Sequence, residues 1–158
     1  MTSPKIEIKC VQSKADRKAF VKVLWKIFKG DPKWIPPLIM ERMDAIDENK
    51  NPYFQHAQVQ FWIAYKDDEP VGRISAQIDE LVEKHHGIKT GHYGFFDCIN
   101  DQDVANALFD TAFSWLKKNG MVEVIGPFSL SINEETGMLV EGFDTYPHLL
   151  MGHAIPYY

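Results

Sequence analysis

Residues able to do chemistry gather in two places. The first is Asp97-Cys98-Ile99-Asn100-Asp101-Gln102, directly ahead of an apolar-periodic stretch. A thiol at a helix amino terminus can have a lowered pKa and act as a nucleophile. Asp97, Asp101 and Asp103 oppose that shift, so Cys98 is better explained as a small buried residue closing a strand. The second place is Asn133, Glu134 and Glu135 in SINEETG, the densest polar cluster of an otherwise apolar tail. These side chains could meet a substrate amine or bond to one another within the fold, and both readings stay open. His85, His86, His92, His148 and His153 are ligands by type, but no spacing sets two of them on one helical turn with a third carboxylate. No metal site is expected.

The elements that must position these residues are clearest between Gly91 and Ile125. Val104, Leu108, Ala112 and Trp115, flanked by Ala105, Phe109 and Leu116, recur at helical spacing, with Asp103, Asn106, Asp110 and Lys117 opposite. The pattern predicts a helix over 102–119 lying on a sheet. Asn100 or Asp101 can cap it, Asp103 adds charge of the right sign to its first turn, and Lys117, Lys118 and Gly120 close it. Apolar strands at Tyr93 to Phe96 and Val122 to Ile125 complete a crossover between parallel strands. The loop Asp97 to Gln102 is thereby placed at the carboxyl edge of the sheet, a favoured position for sites.

The rest of the chain supplies the frame. Ile6, Ile8 and Cys10 alternate with charged residues as a short strand, and Ser13 with Asp16 forms a capping box. The helix that follows carries Phe20, Val23, Leu24, Ile27 and Phe28 on one face and stops at Gly30 and Pro32. A short helix is expected from about Leu38, with Ile39, Met43 and Ile46 on one side. Alternation from Ala57 to Lys66 and again from Arg73 to Asp79, joined by the charged turn Asp67, Asp68 and Glu69, predicts an antiparallel hairpin. Glu80 to Thr90 is expected as a polar loop. Beyond Ile125 periodicity fades, leaving an irregular tail with a possible short helix over 134–140. Its Phe128, Leu130, Phe143, Leu149, Leu150, Met151 and Ile155 must still pack on something.

Length and composition set outer bounds. The 158 residues suit one domain, 1–158, and a make-up of 45% hydrophobic and 25% charged residues is that of an ordinary globular protein. A net charge of -5 without a Lys/Arg run disfavours nucleic acid and anionic membranes as partners. There is no signal-peptide pattern and no run of roughly 18 apolar residues, so a cytoplasmic location is expected. Two cysteines, Cys10 and Cys98, are too few for a disulfide framework and are expected as free thiols.

The order strand, helix, helix, hairpin, strand, long helix, parallel strand resembles the GNAT superfamily of acyl-CoA N-acyltransferases. The segments GDPKWIPPL, NPYFQHA, VGRISAQID, GFFDCINDQDVANALFDTAFSWL and GPFSLSINEETGMLVEGFD look like the amino-terminal half of a large bacterial GNAT-like family. The resemblance runs over essentially the whole chain. It implies an α/β fold, a GNAT-like mixed sheet with helices on both faces, incomplete at the carboxyl end. It also implies an acyl-CoA-dependent N-acyltransferase acting on an amine, with acetyl-CoA or another acyl-CoA as cofactor.

By that resemblance, Cys98, Ile99, Asn100, Asp101 and Gln102 occupy the loop that cradles the CoA pyrophosphate. Asp97 or Glu135 would be the base, Tyr157 or Tyr158 the acid, and Asn133 and Glu134 would meet the substrate. GNAT enzymes usually carry Gln or Arg and then Gly-x-Gly or Gly-x-Ala in this loop. This chain has no glycine, Arg or Lys there, and its aspartates repel a pyrophosphate. That departure supports an alternative function, a catalytically silent GNAT-like half that acts as a scaffold or pairing module without CoA. The resemblance further suggests a continuation beyond Tyr158, as a second domain, or a homodimer that covers an open sheet edge.

Overall fold

The computed structural model describes residues 5–148 and 151–158. A five-stranded sheet runs in chain order: β1 (Ile6–Cys10), β2 (Ala57–Lys66), β3 (Glu69–Asp79), β4 (Thr90–Cys98) and β5 (Glu123–Ile125). The first four strands pair antiparallel, while β5 joins β4 in parallel through Thr90 to His92. Asp67 and Asp68 make the β2–β3 turn, both with positive φ (51° and 64°), the conformation of a tight two-residue hairpin.

One helix covers each face. Helix α1 (Lys14–Ile27) begins in the expected Ser13–Asp16 capping box and packs Phe20 and Val21 against Phe61, Ile63 and Phe95. Helix α4 (Gln102–Lys118) packs Val104, Leu108, Ala112 and Leu116, all fully buried, against Trp62, Ala64, Ile74 and Ala76. Successive residues of β2 and β3 thus serve two cores, as the alternation of side chains along a strand requires. Strand β3 is buried on both sides from Val71 to Gln77. The short helix α2 (Ile39–Ala45) follows Leu38 as expected. No helix among the described residues is long and apolar enough to cross a membrane.

Two expectations fail. The stretch Glu80 to Thr90 is not wholly a loop: Asp79 caps helix α3 (Glu80–His86), which Gly87 ends with φ 70°. Glu80 and Glu83 in its first turn and Lys84, His85 and His86 in its last complement the helix ends, so its polarity reflects exposure and not irregularity. Conversely, 134–140 holds no helix. There Glu135–Thr136 (β7) pairs antiparallel with Phe128–Ser129 (β6) in a small ribbon. Of the apolar tail residues, Leu130 is buried in the α1-side core, Phe143 and Ile155 are half-buried, and Met151 is exposed. Leu149 and Leu150 lie outside the described residues.

Candidate active site

The site begins with an irregularity in β4. Arg73 faces Asp97 and Ser75 faces Gly94, so three steps along β4 match two along β3, and one residue is extra. That is a β-bulge, and Phe95 within it sits at φ 48°, a region bulky residues seldom visit. Pairing with β5 has by then ended at His92. The chain returns beside β4 at Phe128, so close to Gly94 that a Cβ there would overlap the Phe128 carbonyl. Gln77 Nε2 holds this crossing by donating to the Phe128 and Leu130 carbonyls at 2.6 and 3.3 Å.

Past the bulge, a cavity of about 530 Å³ opens between the end of β4, the first turns of α4 and the tail. Its walls include Phe96, Phe109, Met138 and Val140, and it gathers Asp97, the loop 98–102, Glu135, Tyr157 and Tyr158. Asn133 and Glu134 do not line it. Their backbone amides bond to the Ser131 hydroxyl and carbonyl in a turn, and burial raises the Glu134 pKa.

Asp97 is not in a loop, as the sequence suggested, but inside β4 and buried. Its Oδ2 accepts from Arg73 Nε at 2.9 Å and from Nη2 at 2.8 Å. Burial pushes its pKa up to about 6 against the pull of the Arg73 guanidinium. Cys98 is also in the strand. Burial, followed by the Asp97 and Asp101 charges, pushes its thiol up to about 12, so it is no nucleophile. The tail reaches the same point: Tyr157 Oη donates to the Cys98 carbonyl at 2.8 Å, and Tyr158 Oη accepts from the Cys98 amide at 3.0 Å. Burial raises both phenols, Tyr157 to about 12 and Tyr158 further, so both stay protonated at neutral pH.

The helix amino terminus is already filled. Asp101 Oδ1 accepts from the amides of Asp103 and Val104, and Lys66 Nζ lies 2.5 Å from Oδ2. Lys66, ahead of these amides, holds the Asp101 carboxyl below the usual range. The Ile99 amide bonds to Val71 and the Asp101 amide to Ile99. Glu135 is paired with Arg42 at 3.0 Å. His153 is bonded to Asp31 at 2.7 Å and packed on Phe28, and among the described residues no cluster of His, Cys, Asp and Glu could hold a metal.

Sequence reasoning missed Arg73, Gln77 and Arg42. Arg73 and Gln77 look like solvent-side positions of an alternating strand. The usable signal was that β3 pairs on both edges and lies under helices on both faces, so a charge in it needs a partner.

No family model matches the chain. It is 47% identical over 146 residues to Protein YghO of Escherichia coli (strain K12), covering 92% of this chain and 37% of that protein. It is 44% identical over 153 residues to the bacterial ceramide synthase of Caulobacter vibrioides (strain NA1000 / CB15N), covering 96% and 40%. The chain therefore spans about two fifths of these curated relatives. Among solved structures, a tandem GNAT protein from the clavulanic acid biosynthesis pathway superposes with TM-score 0.57 at 11% identity over 74% of this chain and 34% of that one. An aminoglycoside N-acetyltransferase in complex with CoA superposes with TM-score 0.54 at 14% identity over 81% and 80%. Such low identity carries the fold alone, and it agrees with the mixed sheet, the parallel β4–β5 pair and the intervening α4: the chain has the fold of the GNAT acyl-CoA N-acyltransferases.

Proposed function

We propose that the chain forms an N-acyl-transfer site, in which an acyl-CoA lies in the cavity at the end of β4 and Asp97 deprotonates an amine acceptor. The observation that supports this most is the placement of Asp97, buried beyond the β4 bulge, lining an apolar cavity, with a pKa near 6. Such a carboxylate is ionised at neutral pH yet basic enough to accept a proton in the transition state. The amine nitrogen attacks the thioester carbonyl carbon, the new C–N bond replaces the C–S bond, and the nitrogen's proton passes to Asp97. The departing thiolate takes a proton from Tyr157 or Tyr158, the phenols bonded to the Cys98 backbone at the end of β4.

A ceramide is the amide of a fatty acid and a long-chain amino alcohol, so the Caulobacter relative's name denotes an N-acylation. The Phe96, Phe109, Met138 and Val140 walls suit alkyl chains on the same reactants here. The test is transfer from palmitoyl-CoA to sphinganine by the purified chain, read as thiol release and amide formation. Activity should rise with pH as Asp97 ionises through about 6. Asp97→Asn should lose at least about 100-fold in kcat, and an Asp97→Asn variant as fast as wild type would contradict the assignment.

One observation favours the silent-scaffold reading: the α4 amides that would hold a pyrophosphate are taken by Asp101, whose charge Lys66 offsets. Absence of both product and saturable CoA binding would decide for it.

A further inference from the structure

We infer that Arg73 is a positioning residue for this site: by placing two N–H groups on Asp97 Oδ2, it leaves Oδ1 free to face the cavity and take the acceptor's proton. The inference rests on the acyl-transfer reading and deepens it.

Oδ2 receives both Nε and Nη2 of Arg73. Among the described residues Oδ1 has no hydrogen-bond partner, and it is not one of the buried polar atoms left unpaired, which are Arg17 Nε and Arg42 Nε. Asp97 lines the cavity and its side chain keeps 13% of its surface accessible; with Oδ2 occupied by Arg73, that surface falls to Oδ1. The guanidinium cannot swing away. Its Nη1 donates to the Phe20 carbonyl at 3.4 Å, and it lies over the Phe20 and Phe95 rings at 5.1 and 5.4 Å. Helix α1, strand β3 and the bulge itself therefore all fix its plane.

A planar fork held in this way sets the direction of the carboxylate as well as its charge, which an ammonium cannot do. Other charged or titratable groups facing Asp97 are Glu135 of β7, the Cys98 thiol, and Tyr157 and Tyr158 of the tail. Among the described residues, Arg73 is the one cation that acts on Asp97. Helix α1 presents the Phe20 carbonyl and ring, neither of which titrates.

The test compares wild type, Arg73→Lys and the charge-free pair Arg73→Met with Asp97→Asn, using palmitoyl-CoA and sphinganine. Arg73→Lys keeps the charge and should lose about 10- to 100-fold in kcat, because a misplaced group near the chemistry loses rate steeply. Its KM for palmitoyl-CoA should stay within about twofold. Its acid limb should move to higher pH, by about one pH unit or more, because the stabilising contact to the ionised carboxylate is weakened. The Asp97 side-chain carbon, titrated by NMR, should move in the same direction without any turnover. The double variant should melt as a folded protein and be inactive.

A merely structural Arg73 would lower activity in proportion to unfolding and leave the acid limb and the Asp97 titration in place. That result overturns the inference while an active wild type leaves the acyl-transfer reading standing. A wild type that forms no amide overturns the acyl-transfer reading, and the positioning role falls with it.

Discussion

Helix α4 and the tail beyond Gly126 wall the same cavity, yet they are held in place by different means. Helix α4 is specified almost wholly by its own residues: an Asp101 cap, an apolar stripe and basic residues in its last turn. The tail is held by side chains far away in sequence. Gln77 carries the Phe128 and Leu130 carbonyls, Asp31 holds His153, and the Cys98 backbone receives Tyr157 and Tyr158. Asp97 sits where the two meet, on the locally specified side. A carboxylate on a rigid strand, closed in by a wall that depends on few contacts, allows one half of the site to stay fixed while the other adapts.

Mutations in the two regions should separate them, and the largest effect belongs to the frame. Leu108→Ala, at a fully buried position of α4, should lower global stability by about 3–5 kcal/mol in urea unfolding. Next is the seam. Gly94→Ala forces the β4 and Phe128 backbones apart and should cost about 2–4 kcal/mol. Gln77→Leu leaves two carbonyls unpaired, and a loss of about 1–3 kcal/mol is expected. Amide exchange after that change should speed up in 128–137 and stay slow in α4, and equal acceleration in both would erase the contrast.

The smallest change expected is Asp101→Ala, which removes the α4 cap and should cost about 1 kcal/mol. It also removes a negative charge from the place a pyrophosphate would occupy, so CoA should bind more tightly to this variant than to wild type. Weaker CoA binding by Asp101→Ala would mean that the carboxylate takes part in holding the ligand.

What was legible in the sequence divides along the same line. The capping box at Ser13, the stripe of α4, the hairpin from Ala57 to Asp79 and the crossover from β4 through α4 to β5 all rest on residues close together in the chain. Helix α3 was hidden because its seven residues, none buried and with charges of both signs, carry no apolar period. The β6–β7 ribbon was hidden because two residues per strand give no alternation, and their pairing depends on Gly94 leaving room for Phe128. Asp97, Glu135, Tyr157 and Tyr158 were picked out by position, and the structure gathers them around one cavity. The partner that shapes Asp97 was not visible, because Arg73 reaches it across strands through the bulge, a register shift no spacing announces.

The most direct measurement is amide chemical-shift mapping of the full chain titrated with acetyl-CoA. The account predicts saturable shifts concentrated at Phe96 to Ile99, the first turn of α4 and the Glu135 to Val140 wall. No shift at millimolar ligand, or shifts confined to surfaces away from the end of β4, would contradict it.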